Sequence, residues 1–143
     1  VTVASRAHRY VNRLRFEDLT VRTRSWLTIR EYAVSKLANI LFSQELGRRL
    51  QGSGVNTYAL HPGVIASEIW RHAPQFIVKL RARSMITPEE GAKTTLYCAS
   101  SNAVADQTGL YYDQCQVRQP SALASNQTLA EELWRYSERA LPK

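Results

Sequence analysis

Apolar and polar positions alternate along the chain in short runs and in longer stretches with helical spacing. The short runs are rich in β-branched or aromatic residues and predict strands over residues 1–5, 55–60 and 109–113. The longer stretches predict helices over residues 28–52, 87–100 and 128–141. Strands that alternate with helices of this length indicate βαβ crossovers, and therefore an α/β domain with a parallel sheet.

The helix boundaries carry local signals. A Thr followed three residues later by a Glu, the pattern of a capping box, occurs at 28–31, 87–90 and 128–131. Pro88 stands at the first helical position after Thr87, and Gly52 is suited to end the first helix. Residues 6–27 are polar and rich in arginine, so we predict a long loop there. Residues 66–84 favour no single element.

Tyr32 and Lys36 lie four positions apart in the first predicted helix, a spacing that places both side chains on one face. An ammonium about 4 Å from a phenol favours the phenolate by about 4 kcal/mol at an effective dielectric near 20, before desolvation. Such a bias corresponds to about three pKa units, which would suit a general acid–base. The alternative interpretation is a cation lying on an exposed ring, because the spacing alone can arise by chance.

Two strand ends add candidate chemistry to this pair. Ser5 closes the first predicted strand, and Pro62 and Gly63 follow the second. Ligands of parallel sheets gather beyond the carboxyl ends of the strands, and the helix with Tyr32 and Lys36 joins these two strands. We therefore expect all five residues around one crevice. Taken singly, each has a plainer interpretation as a strand-end serine, a surface pair or a turn.

Charge and composition narrow the function classes. The 19 Lys and Arg outnumber the 12 Asp and Glu, which gives a formal net charge of +7. A basic surface attracts phosphates, anionic lipid or nucleic acid, although a solvated face is the plainer interpretation. No aromatic platform for stacked bases is evident, so a nucleic-acid partner is not expected. Cys98 and Cys115 form no metal-binding pattern and are interpreted as free thiols in a reducing, intracellular compartment.

The three histidines, Cys98 and one mixed segment allow further hypotheses. His61 is expected to shape the turn at the second strand end, His8 and His72 to lie on the surface, and Cys98 to fill the core. Residues 69–83 combine large apolar side chains with basic ones, which suits contact with a membrane surface. A helix packed on the core is the alternative for that segment. No apolar run is long enough for a membrane-spanning helix, so the expected location is cytoplasmic or membrane-associated.

Several stretches together resemble a known family. VTVASRAH, YAVSKLANILFSQEL, GVNTYALHPGV, EEGAKTTLYCA and GLYYDQC follow one another as in the C-terminal half of short-chain dehydrogenases/reductases, with the closest resemblance to the retinol-dehydrogenase-like branch. The resemblance implies the C-terminal part of a Rossmann-like parallel sheet with flanking helices, its glycine-rich N-terminal half missing. Residues 1–143 would then form a single partial domain.

The resemblance also implies a reaction and the residues that perform it. The family transfers a hydride between NADP or NAD, with NADP favoured here, and an alcohol, aldehyde or ketone; a hydrophobic substrate of retinoid, steroid or lipid type would fit this branch. By the same resemblance, Tyr32 exchanges the proton, Ser5 polarises the substrate oxygen, and Lys36 holds the nicotinamide ribose. The carboxamide would be seated by Pro62, Gly63, Val64, Ile65 and Ser67.

One departure from the family pattern concerns the cofactor clamp. The chain has no G-x-x-x-G-x-G turn, and the family's Asn-Asn-Ala-Gly strand end and catalytic asparagine are also missing; they would precede Val1. The first strand should then have a bare edge, and the chain should be marginally stable, self-associate or pair with the missing half. A truncated, non-catalytic pairing module is the alternative function.

Overall fold

The structure is a computed structural model that describes residues 1–19, 29–65 and 85–141. The described part contains four strands, β1 (Thr2–Val3), β2 (Tyr58–His61), β3 (Leu110–Asp113) and β4 (Gln116–Val117). It contains three α-helices, α1 (Ile29–Arg49), α2 (Pro88–Ser100) and α3 (Gln127–Ala140). Short 3-10 helices occur at Arg6–Tyr10, Phe16–Leu19, Asn102–Val104 and Leu123–Ser125.

The sheet has the order β1-β2-β3-β4. β1 pairs with β2 and β2 with β3 in parallel, and helices α1 and α2 connect these pairs along the chain. The predicted α/β class with a parallel sheet and flanking helices is therefore confirmed. β1 is an edge strand of the described sheet, as predicted; Val3 is 44% exposed, and Val1 directly before the strand is 54% exposed.

β4 was not predicted, and it pairs antiparallel with β3. A two-residue turn joins them, and both of its residues, Gln114 (φ 53°) and Cys115 (φ 58°), have left-handed backbones. Such hairpin turns usually contain Asn or Gly, because most other residues adopt positive φ only at a cost. The dipeptide Gln-Cys gives no turn signal, and this is why sequence reasoning missed the strand.

Hydrophobic clusters cover both faces of the sheet. On one face α1 buries Leu37, Ile40 and Leu41 completely against the sheet and against Leu133 of α3. On the other face Cys98 of α2 is 3% exposed and packs in a cluster with Tyr58, Leu60, Val104 and Tyr112. The prediction that Cys98 fills the core is confirmed, and two-sided burial explains the continuous apolar run of β2.

The helix-start predictions had different outcomes. At α2 the capping box is present, since the Thr87 side chain accepts from the Glu90 N–H and the Glu90 carboxylate accepts from the Thr87 N–H. The predicted box at Thr128 and Glu131 is wrong. Asn126 caps α3 instead, with its side chain accepting from the N–H of Leu129 at 3.0 Å. Thr28 lies outside the described residues, although α1 begins at Ile29.

The prediction of a loop over residues 6–27 is wrong for its first part. The 3-10 helices Arg6–Tyr10 and Phe16–Leu19 lie in this segment, and Val11 and Leu14 between them are buried in the cluster that includes the apolar residues of α1. Strands and α-helices give hydrophobic repeats of 2.0 and 3.6 residues, whereas short 3-10 turns leave no such repeat in the sequence. Residues 20–28 and 66–84, and with them the lipid-contact hypothesis for 69–83, lie outside the described residues.

Candidate active site

Helix α1 brings Tyr32 and Lys36 together near its N-terminal end. Tyr32 is 44% exposed, and the Lys36 ammonium lies over its ring, 5.4 Å from the centroid. This distance is typical of a cation–π contact. The predicted pairing of the two side chains is thus present, in the geometry that the alternative interpretation described. A general acid–base role for the phenol stays a prediction.

The Lys36 ammonium also contacts the edge strand. Its Nζ donates to the carbonyl oxygen of Val3 at 3.1 Å, and the Asn39 amide donates to the same oxygen at 3.1 Å. Ala4 donates its N–H to Leu60 across the β1–β2 pair, so the Val3 carbonyl of the same peptide points to the open edge. Two side chains of α1 therefore satisfy a carbonyl that no described strand pairs.

Ser5 lies two residues beyond that carbonyl and is 9% exposed. Its Oγ accepts a hydrogen bond from the N–H of Ala7 at 3.2 Å, so the side chain caps the first 3-10 helix. A hydroxyl that accepts still has its own proton to donate. Ser5 thus follows by two residues the Val3 carbonyl that Lys36 contacts, and within the described ranges its hydroxyl donates no hydrogen bond.

An ion pair fixes the residue that follows Ser5. Arg6 binds Asp113, the last residue of β3, through Nε at 2.6 Å and Nη2 at 3.0 Å. The hydrogen-bonded carboxylate raises the pKa of the Arg6 guanidinium. Because planar bidentate pairs are geometrically specific, this contact ties the start of the first 3-10 helix to the end of β3. Sequence reasoning missed it, since 107 residues separate the partners.

His8 is buried, and the prediction that it lies on the surface is wrong. Its side chain is 0% exposed, its Nδ1 lies 2.6 Å from the Ser5 carbonyl, and its Nε2 accepts from the N–H of Ser121 at 3.1 Å. Its ring meets the ring of Tyr111 edge-on at 5.2 Å. Burial lowers the pKa of His8 and keeps the imidazole neutral. In the sequence, the arginine-rich surroundings of His8, with Arg6 and Arg9 nearby, indicate exposure, and only the tertiary contacts show that the side chain is buried.

Residues 62–65 follow β2 and pack against the start of α2. Gly63 has a positive φ of 97°, which glycine adopts without strain. Val64 accepts a hydrogen bond from the N–H of Ile86 at 2.9 Å, and Ile65 lies so close to Gly91 that a Cβ there would be 2.5 Å from its Cδ1. Ser67, the last residue predicted to seat the carboxamide, lies outside the described residues.

His61 is part of β2 rather than of the turn that it was expected to shape. It is 6% exposed, and its Nδ1 has no hydrogen-bond partner in the part of the chain that the structure describes. Burial lowers its pKa, so the ring is held neutral beside Asp113. An unpaired ring nitrogen directly before Pro62 leaves one polar group free at the end of the strand.

The donors at this rim fit one end of a nicotinamide dinucleotide. The phenol of Tyr32, the ammonium of Lys36 and the hydroxyl of Ser5 can donate to the hydroxyls of a ribose and to a substrate oxygen. The described residues offer no such match to the pyrophosphate end, because the sequence has no glycine-rich turn and side chains already cap the N-termini of α2 and α3. The residues present therefore suit the nicotinamide and its ribose.

Comparison with known proteins identifies the family. No protein-family model matches the chain. Human retinol dehydrogenase 11 is 41% identical over 136 residues, which cover 94% of this chain and 42% of that protein. Human retinol dehydrogenase 12 is 41% identical over 139 residues, 96% of this chain and 43% of that protein. The homologues of this chain are therefore short-chain dehydrogenases/reductases, and the chain corresponds to their C-terminal part.

A bovine relative and a solved structure agree with this assignment. Dehydrogenase/reductase SDR family member 13 from Bos taurus is 39% identical over 97% of this chain and 38% of that protein. A crystal structure of an uncharacterized protein from Mycobacterium paratuberculosis is 30% identical, with a TM-score of 0.67 over 96% of this chain and 47% of that one. The chain thus spans less than half the length of these relatives, and it matches the C-terminal part of the retinol dehydrogenases.

Proposed function

We propose that the natural polypeptide carrying this sequence is an oxidoreductase of the retinol-dehydrogenase type. It transfers a hydride between NADP or NAD and a hydrophobic alcohol, aldehyde or ketone of retinoid, steroid or lipid type. The observation that carries the proposal is the placement of Tyr32 and Lys36 on one exposed helix face, with the ammonium bound to the carbonyl of Val3, the last residue of β1 and two positions before Ser5. The relatives named retinol dehydrogenase support it.

Each residue of the proposed site has a defined chemical role. The nicotinamide, when bound, supplies or accepts the hydride at the substrate carbon. In the reducing direction Tyr32 gives its phenolic proton to the carbonyl oxygen, so that carbon gains hydride and oxygen gains a proton to form the alcohol. Ser5 donates a hydrogen bond to that oxygen, and the charge of Lys36 stabilises the phenolate that remains. Lys36 also reaches the ribose hydroxyls, and residues 62–65 with Ser67 seat the carboxamide.

Tyr32→Phe tests the proposal, with Tyr10→Phe as the matched control. Both tyrosines are exposed, Tyr10 by 72%, and neither hydroxyl contributes a described hydrogen bond to the fold. We expect Tyr32→Phe to lower kcat by about 10²–10⁴-fold, the usual contribution of general acid–base catalysis, with cofactor affinity retained. The measurement is absorbance of the reduced nicotinamide with retinol or retinal as substrate. If Tyr32→Phe turns over like Tyr10→Phe, the proposed role is wrong.

Contact with a lipid surface is a further part of this proposal. It rests on the apolar and basic composition of residues 69–83, which suits delivery of a lipid-like substrate from a membrane. No α-helix within the described ranges is long and apolar enough to cross a bilayer. The test is Trp70 fluorescence with anionic vesicles, with Trp70→Phe as the blank. An emission spectrum that vesicles leave unchanged would refute the contact.

A pairing module without catalysis is the second candidate, and the exposed edge of β1 favours it. No described strand pairs this edge, and Val1 and Val3 beside it are about half exposed; a further strand could add there once Lys36 and Asn39 release the Val3 carbonyl. Co-purification with a full-length relative, together with absence of dinucleotide binding, would support this function. Micromolar binding of NADP or NAD by the isolated chain would argue against it.

A further inference from the structure

His8 connects the end of β1 to a segment 113 residues further along the chain. Its Nε2 faces the N–H of Ser121, and a backbone N–H can only donate, so Nε2 must be the unprotonated acceptor. The proton of the neutral ring is therefore on Nδ1, which donates to the carbonyl of Ser5 at 2.6 Å. The contact to Ser121 thus selects the tautomer that binds Ser5.

Ser5 has both of its oxygens engaged by this network. Its carbonyl accepts from His8 twice, from Nδ1 and from the backbone N–H at 3.2 Å, while its Oγ accepts from Ala7. The backbone of Ser5 is extended, with φ −161° and ψ 154°, whereas the next five residues turn as a 3-10 helix. The backbone therefore changes direction at Ser5, the residue whose side chain is proposed to contact the substrate, and the His8 ring bonds to the Ser5 carbonyl across this change of direction.

We propose that His8 is a positioning residue for Ser5, acting through the Ser5 carbonyl and not on the substrate. This inference rests on the proposed function, which assigns the Ser5 hydroxyl to the substrate oxygen. The ring is completely buried and both of its nitrogens are engaged, so it carries no proton to or from the site. It fixes the direction in which the Ser5 hydroxyl points, and a small misplacement of a catalytic group lowers turnover strongly.

Two substitutions separate the two bonds of the ring. In His8→Asn the side-chain amide reaches the place of Nδ1 and can donate to Ser5, whereas the bond to Ser121 is lost. In His8→Gln the amide reaches the place of Nε2 and can accept from Ser121, whereas the bond to Ser5 is lost. Arg9→Ala is the control, because Arg9 binds the carbonyl of Gln119 in the same distant segment and does not touch Ser5.

Turnover of retinal with NADPH is measured in the natural polypeptide, together with KM, cofactor Kd and the urea midpoint. We expect His8→Gln to lower kcat by about tenfold or more with little change in cofactor Kd. His8→Asn should recover most of the turnover that His8→Gln loses, even where its urea midpoint is lower. Equal kcat in the two variants, with loss only of stability, would show that His8 merely holds the fold together and would overturn the proposal.

An NMR measurement keeps this test independent of the proposed function. Wild-type protein should show the Nδ1–H tautomer in the imidazole ¹⁵N shifts, and the Ser5 carbonyl ¹³C resonance should move in His8→Gln more than in His8→Asn or Arg9→Ala. An unchanged Ser5 carbonyl shift in His8→Gln would refute the positioning role whether or not the enzyme is active. A normal NMR result in a protein without turnover would instead reject the proposed function and leave the His8–Ser5 contact established.

Discussion

Replacing either of two buried tyrosines on neighbouring strands with phenylalanine should change the free energy of unfolding differently, with a loss for one and no loss for the other. Tyr58 is 6% exposed, and its hydroxyl donates to the carbonyl of Val104 at 2.6 Å. Tyr111 is 2% exposed, and its hydroxyl has no hydrogen-bond partner within the described ranges. Burial raises the pKa of Tyr111 to about 12 and raises that of Tyr58 as well, so both phenols are protonated near neutral pH. Phenylalanine preserves either ring and removes only the hydroxyl.

The expected magnitudes follow from the environment of each hydroxyl. Tyr58→Phe removes one of the two hydrogen bonds that the buried Val104 carbonyl accepts, and the bond from the N–H of Gln107 at 3.0 Å remains, so the expected cost is about 0.5–1.5 kcal/mol. Tyr111→Phe removes a polar group that is already desolvated and unpaired, so we expect a change between zero and a gain of about 1 kcal/mol. The two variants should therefore differ by about 1–2 kcal/mol in their free energy of unfolding.

Urea unfolding followed by circular dichroism measures this difference. With a slope m of about 2 kcal/mol/M, the two midpoints should lie about 0.5–1 M apart, with Tyr58→Phe at the lower concentration. The m values must agree, because a change in m would mean a change in the exposed surface rather than in one hydrogen bond. Equal destabilisation by both substitutions would refute the reasoning, since it would mean that the Tyr111 hydroxyl has a partner.

Three further predictions concern pH, a helix cap and a tight contact. Burial lowers the pKa of His8 and His61 in the folded protein below the value of about 6.5 that they have in the unfolded chain. The unfolded chain therefore binds more protons as pH falls below about 6.5, and the free energy of unfolding should decrease from there down to the pKa values of the folded state. Urea titrations at stepped pH measure this decrease. Thr87→Ala should cost about 1 kcal/mol, seen as a lower thermal midpoint, because the α2 capping box is lost. Gly91→Ala should lower the free energy of unfolding by about 1–3 kcal/mol despite better helix propensity, because the new Cβ meets Ile65. The double variant with Ile65→Ala should lose less than the sum of the two single losses, as measured by urea unfolding, because the smaller side chain removes the clash.

Local sequence patterns predicted those features that depend on neighbours in the chain. The apolar period of α1, the capping box of α2 and the pairing of Tyr32 with Lys36 are all relations between residues three or four positions apart. The parallel arrangement of the strands also followed, because alternating strands and helices leave few other connections. These are the parts of the site that helix geometry alone specifies.

Contacts between distant residues decided the rest. Arg6 with Asp113 and His8 with Ser121 join positions more than a hundred residues apart, and no periodicity encodes such pairs. They turned a segment with the composition of a solvated loop into one that packs on the core and orients Ser5. The sequence by itself determined which helix face carries the phenol and the ammonium. Only the tertiary structure decided what surrounds Ser5, because burial and hydrogen-bond partners depend on which distant elements meet there.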